Sequence, residues 1–250
     1  MKRLIRSDAM RWLLWKDYRH NRLILGTALF LLIVPYALAL TRAAVWILVN
    51  GTPVTAPDVW DVWGQSFAVA GAWSLISLQV TLALFGGHAI AGERTDRSAE
   101  FLGSLPISRG RKLASKLWVA LGLWLLVWAP NLAIQAVVWF GHGDVLPNVR
   151  LSQLADVPVC IAVTGLTFFC VAWMFSAMLE NATFSVGAGL ATPLLAGMGV
   201  LWSERWLRDR RVSDLVDTQF MFVGYVGICL LLSIACFIVG TCYYLRRVES

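Results

Sequence analysis

FAVAGAWSLISLQVTLALFGGHAIA (Phe67–Ala91) runs directly into GERTDRSAEFLGSLPISRGRKLASK (Gly92–Lys116), and the join between them decides the fold. The first segment holds no Asp, Glu, Lys or Arg, and its 25 residues exceed the about 20 that a helix needs to cross about 30 Å of hydrocarbon. The second carries nine charged residues before a new apolar run begins at Leu117. A polar interval bounded on both sides by membrane-length runs is a loop between two spans. The rest of the chain repeats the pattern.

Of its 250 residues, 58% are hydrophobic and 14% charged, with a mean hydropathy of +0.68, whereas an ordinary soluble domain carries about 25% charge. Six runs meet the length test: Leu23–Thr41, Phe67–Ala91, Leu117–Phe140, Val157–Leu179, Ala182–Trp202 and Phe220–Leu245. Only Glu180 and Asn181 separate the fourth from the fifth, which marks a tight hairpin, and the first can continue past Arg42 through Val49. The expectation is an all-α polytopic protein, one transmembrane domain over 1–250 with six transmembrane helices. The runs leave no segment able to build a soluble catalytic core.

Lys and Arg set the orientation, because positively charged flanks resist translocation. Seven precede the first run (Lys2, Arg3, Arg6, Arg11, Lys16, Arg19, Arg22), six lie from Arg94 to Lys116, and Arg246 and Arg247 follow the last run. Six crossings put all three groups on one side, so both termini are expected in the cytoplasm, with the cytoplasmic (inner) membrane as the location. The net charge of +6 then follows from topology and calls for no nucleic acid partner.

Residues 1–22 lack the apolar core and small-residue site of a cleavable leader. They hold MRWLLWKDY (Met10–Tyr18), in which Trp12, Leu13, Trp15 and Tyr18 alternate with Arg11, Lys16 and Asp17, the composition of an interfacial helix or of an ordinary juxtamembrane anchor. Cys160, Cys170, Cys229, Cys236 and Cys242 all fall in apolar runs and read as packed thiols. His20, His88 and His142 have no ligand-like spacing, so no metal site is expected; His88 reads as a packed or interfacial residue. Near the middle of the spans, Gln79, Asn131 and Gln135 are polar but neutral. They fit hydrogen bonds between helices, or the lining of a pathway. Buried acids for a proton relay and paired catalytic groups are missing from the span centres.

None of the four lysines, Lys2, Lys16, Lys112 and Lys116, lies in a GxxxxGK[ST] phosphate loop, so energy for work has to enter through a surface. Gly92–Lys116 is the one sizeable interval on the expected cytoplasmic side between spans. Glu93 and Arg97 stand in favourable i, i+4 order, and Phe101, Leu102 and Leu105 follow as an apolar cluster that a solvated connector has little reason to carry. Pro106 disfavours helix at Leu105, and Ser108 is placed to cap the helix of the third span. Arg109, Arg111, Lys112 and Lys116 stand at that helix's N-terminal end against its dipole, a placement that attraction to anionic lipid explains.

At these residues the chain resembles the membrane subunits of type-2 ATP-binding-cassette (ABC) transporters. Those permeases carry a pattern close to E-[RK]-x-x-G-T-x-E-x-L-x-x-L-P-[IV]-S-R after their second span. Here Glu93, Arg94, Glu100, Leu102, Leu105, Pro106, Ile107, Ser108 and Arg109 occupy it and Lys116 follows, while Arg97 and Ser98 replace the Gly-Thr pair. Trp15-Lys16-Asp17 is similar to the family's elbow helix, and SAMLENATFS (Ser176–Ser185) to its turn between spans four and five.

The resemblance implies an exporter half, paired with a second permease subunit as a homodimer or heterodimer, and docked on cytoplasmic ABC ATPase subunits that hold the ATP and Mg. This chain would carry no cofactor and no catalytic residue. Gly92–Arg109 would be the coupling element, with Glu93 and Arg94 as polar contacts to the ATPase and Phe101 and Leu105 as apolar ones. Ser203–Gln219 would form an external loop, amphipathic or simply solvated. Two other readings stay open: a membrane subunit that transmits force to an assembly or maturation partner without moving a solute, and a free-standing carrier or membrane enzyme.

Overall fold

The computed structural model describes residues 2–50, 56–95, 107–141, 151–209 and 218–247. These form seven α-helices and no strand: α1 (Lys2–His20), α2 (Arg22–Asn50), α3 (Ala56–Thr95), α4 (Arg109–Gly141), α5 (Leu151–Met178), α6 (Ala182–Asp209) and α7 (Thr218–Arg247). Helices α2 to α7 each contain a stretch long and apolar enough to cross a membrane, and each stretch coincides with one of the six runs in the sequence. The described residues are therefore all-helical, with six helices long and apolar enough to span a membrane. A spanning segment must satisfy its own backbone polar groups, which only helices or closed barrels achieve, and uninterrupted apolar runs without period-2 alternation select the helix.

Several helices overrun the apolar runs. The first span continues through Arg42 to Asn50, and α3 begins at Ala56, well before Phe67. Of the expected external loop, Ser203–Asp209 is helical and continues α6. Residues 210–217 lie outside the described segments. Pro35, Pro130, Pro158 and Pro193 all sit inside helices, and hydroxyls such as Thr27, Ser77 and Thr192 fold back onto carbonyls in the preceding turn of their own helices.

Two helices form the centre. Half of the apolar stretch of α3 and of α5 is buried, against 17% in α2, α6 and α7. Helix α5 packs on α3, α6 and α7, while α2 and α4 pack on α3 and α1 lies against α4. A row of rings crosses the core from Phe85 in α3 through Phe169 and Trp173 in α5 to Phe237 in α7, with neighbouring centroids 5.7 to 6.4 Å apart.

Helix α3 approaches α5 closely at Gly86 and α6 closely at Gly87. A Cβ on Gly86 would lie 2.6 Å from the Phe169 carbonyl oxygen, and one on Gly87 would lie 2.9 Å from the Val186 nitrogen. Packing in a bilayer rests on such small-residue contacts, since lipid tails are as apolar as the side chains. The outer faces of α2, α6 and α7 present large apolar side chains, among them Phe30, Leu48, Leu195, Trp202 and Leu231.

Candidate functional site

Both roots of the Gly92–Lys116 interval are helical. Gly92 to Thr95 form the last turn of α3, and α4 starts at Arg109. Ser108 precedes α4, its carbonyl accepting the Arg111 N–H at 2.9 Å and the Lys112 N–H at 3.3 Å.

At this end of the bundle α1, α3 and α4 meet around four buried or half-buried charges. The Glu93 carboxylate, 6% exposed, pairs with the Lys16 ammonium and, at 2.9 Å, with that of Lys116. Asp17 lies 3.0 Å from Lys16 and 4.0 Å from Lys116, and accepts a hydrogen bond from the Ser115 hydroxyl. Lys116 also donates to the Ala89 carbonyl. Two cations and two anions cancel, as a buried cluster requires, because desolvating an ion costs several kcal/mol unless a partner and hydrogen bonds offset it. Burial works against the charged form of Lys16, but the Glu93 and Asp17 carboxylates outweigh it and hold its pKa above the ordinary 10.5.

The neighbouring cations serve as helix caps. Arg94 reaches from α3 to the end of α5, donating to Ala177 O at 2.7 Å and Leu179 O at 3.4 Å. Arg109, at the start of α4, donates to Leu245 O near the end of α7 at 2.8 Å. The last carbonyls of a helix lack intrahelical donors and stand at the negative end of its dipole, so a guanidinium stabilises both features. The Ser176 hydroxyl accepts from the Ile90 and Ala91 N–H groups at 3.1 and 2.8 Å, tying α5 to α3 one turn below Glu93. The two roots are thus fixed to α1, α5 and α7 as well as to each other.

Of the residues that the sequence marks for docking, Glu93, Arg94, Ser108 and Arg109 are described. Arg97, Glu100, Phe101, Leu102, Leu105 and Pro106 lie outside the described residues. Within the chain, Glu93, which the resemblance makes a docking residue, pairs with Lys16 and Lys116, and Arg94 caps α5. Lys116 departs from expectation: attraction to anionic lipid does not explain its position, because it is buried against Glu93. Lys16, Asp17 and Ser115 were missed as partners, because the Lys16–Glu93 and Ser115–Asp17 contacts join positions 77 and 98 residues apart in sequence. Trp15-Lys16-Asp17 was a visible signal, but it carried no register against α3. In α1 the buried face is Leu13 with Asp17, while Trp12, Trp15 and Tyr18, spaced by three, are exposed and Arg19 lies over the Trp15 ring at 5.3 Å.

Of the polar residues deeper in the bundle, Asn131 and Gln135 join helices by hydrogen bonds. Asn131 accepts from the Tyr36 hydroxyl at 2.7 Å and donates to Val127 O, linking α4 to α2. Gln135 donates to Ala68 O at 3.2 Å, crossing to α3 beside Gly71. Gln79 donates to Leu75 O and packs on Gly165, with its Oε1 left without a partner among the described residues. No family model, curated protein or solved structure matches the chain.

Proposed function

We propose that this chain is the membrane-spanning permease subunit of an ABC exporter, docking through Gly92–Lys116 on separate cytoplasmic ATPase subunits that hydrolyse ATP. Besides the motif resemblance, the observation that carries the reading is the buried cluster of Lys16, Asp17, Glu93 and Lys116 at the base of the interval. A connector needs no such anchorage. A lever does, since force applied to it reaches the spans only if both of its roots move with their helices. Arg94 and Arg109 extend that anchorage to α5 and α7. Glu93 and Arg94 then act as fixtures of the lever, and docking falls to the apolar residues Phe101, Leu102 and Leu105 with Pro106.

A photo-crosslinking amino acid at Phe101, activated in native membranes, tests the docking. The expected adduct is a protein that carries a GxxxxGK[ST] loop, and its capture should fall with Pro106→Ala. Adducts only with lipid, or with proteins lacking a nucleotide site, overturn the assignment. ATP-dependent solute movement in sealed vesicles distinguishes export from force transmission.

A further inference from the structure

At the same end of the bundle lies a cavity of about 700 Å³, within the range typical of small-molecule sites. Its wall comes from the end of α1 (His20), Asn21 and the start of α2 (Leu23, Ile24), the last turns of α3 (His88, Gly92, Thr95) and the α5–α6 turn with the first residues of α6 (Glu180 to Thr183). All four parts are ends of spans or of the helix beside them, so in a bilayer the cavity falls at headgroup depth.

The wall chemistry divides into two halves. One half accepts hydrogen bonds: the exposed Glu180 carboxylate, and Asn21, which is 4% exposed and whose Oδ1 has no partner among the described residues while its Nδ2 donates to Asp17 O. The other half suits an anion. Asn181 caps α6 through Phe184 N–H at 3.1 Å, and Ser185 N–H makes the first intrahelical bond to Asn181 O, which leaves the N–H groups of Ala182 and Thr183 before it at the positive end of the dipole. The His20 and His88 imidazoles converge on Gly92, 3.0 and 3.6 Å from where a Cβ would stand, so this glycine makes room for both rings. Leu23, largely exposed, and Ile24 continue the cavity onto the apolar face of α2.

We infer that this cavity binds a bilayer phospholipid whose headgroup carries a primary amine, with the ammonium held by Glu180 and the phosphate at the N-terminus of α6 beside the histidines. A quaternary choline has no N–H to donate, and a purely anionic headgroup meets the Glu180 carboxylate. Both are therefore disfavoured. The acyl chains follow Leu23 and the lipid-facing side of α2.

Native mass spectrometry of the purified full chain, loaded from mixed micelles holding equal phosphatidylethanolamine, phosphatidylcholine and phosphatidylglycerol, reads the preference. Phosphatidylethanolamine should be retained about tenfold over phosphatidylcholine. Glu180→Gln should bring the two to near parity, and Glu180→Lys should turn the preference to phosphatidylglycerol, with helicity by circular dichroism unchanged in both. Glu180 is an exposed turn residue, so neither variant threatens the fold. Equal retention of the three lipids by the natural chain, or a preference that survives Glu180→Lys, overturns the proposal. So does displacement by soluble glycerophosphoethanolamine at the lipid's own concentration, which would mean that the headgroup alone is the ligand. The measurement uses no ATPase, so its outcome is independent of the transport reading.

Discussion

Glu93 has two neighbours of opposite charge, and that stoichiometry predicts how its substitutions differ. Glu93→Ala leaves Lys16 and Lys116 buried beside Asp17 alone, and removing one partner from a buried cluster costs about 3–5 kcal/mol. Glu93→Gln keeps a hydrogen-bond acceptor and should cost less. Adding Lys116→Met to Glu93→Gln should recover part of the loss, because the remaining Lys16 and Asp17 form a neutral pair at 3.0 Å. Reversible unfolding in mixed micelles measures all three, and equal losses for Ala and Gln would show that the charge balance is irrelevant. The pH dependence follows from the same contacts. Lys16 is held above 10.5 in the folded chain, so its contribution is complete below 10.5 and is lost as pH climbs through the raised value. Stability should therefore be unaffected by Lys16 from roughly pH 7 to 9 and should decline in strong alkali, a decline that Lys16→Met should remove.

At the scale of elements, the close contact of α3 with α5 and α6 depends on two adjacent glycines. Gly86→Ala would drive a methyl group to 2.6 Å from a backbone oxygen, which no rotamer change relieves, so a loss of about 1–3 kcal/mol is expected. Gly26 in α2 has no atom within 4 Å of its would-be Cβ, and Gly26→Ala should be neutral or stabilise by about 0.4–1 kcal/mol. The same unfolding titration compares them, and a similar response at both sites would contradict the packing. Length and hydropathy made the six spans legible, because a bilayer imposes a minimum apolar run whatever the neighbours are. Helix pairing was not legible by that route. In α6, Gly187 and Gly199 have open space while Gly189 packs against Ala172 and Phe168 of α5, and in α3 Gly86 sets the contact with α5 and Gly87 that with α6. Which face of a helix turns inward is decided by its partners, and an apolar run surrounded by lipid has little amphipathic signal to reveal it. Likewise the cap of α4 at Ser108 was readable locally, whereas the pairing of Glu93 with α1 and α4 required the fold.

For the molecule as a whole, the proposed lever and the proposed docking surface occupy different residues, so they should fail separately. Phe101, Leu102 and Leu105 carry docking in this reading, whereas Lys16 and Glu93 join the roots of the interval to α1. Replacing the pair by Lys16→Met and Glu93→Gln removes one charge of each sign and leaves the loop sequence, Arg94 and Arg109 in place. Association with the ATPase should persist, since its contact surface is unchanged. The transmission of closure to the spans should weaken by about 5–150-fold, the usual size of a coupling between sites. Co-purification of the ATPase with the variant, alongside ATP-dependent transport in vesicles, reads the two quantities independently. Phe101→Asp should give the opposite pattern, with association lost and the cluster undisturbed. If the pair variant and Phe101→Asp lose association and transport in the same proportion, the cluster is part of the docking surface and the lever reading fails.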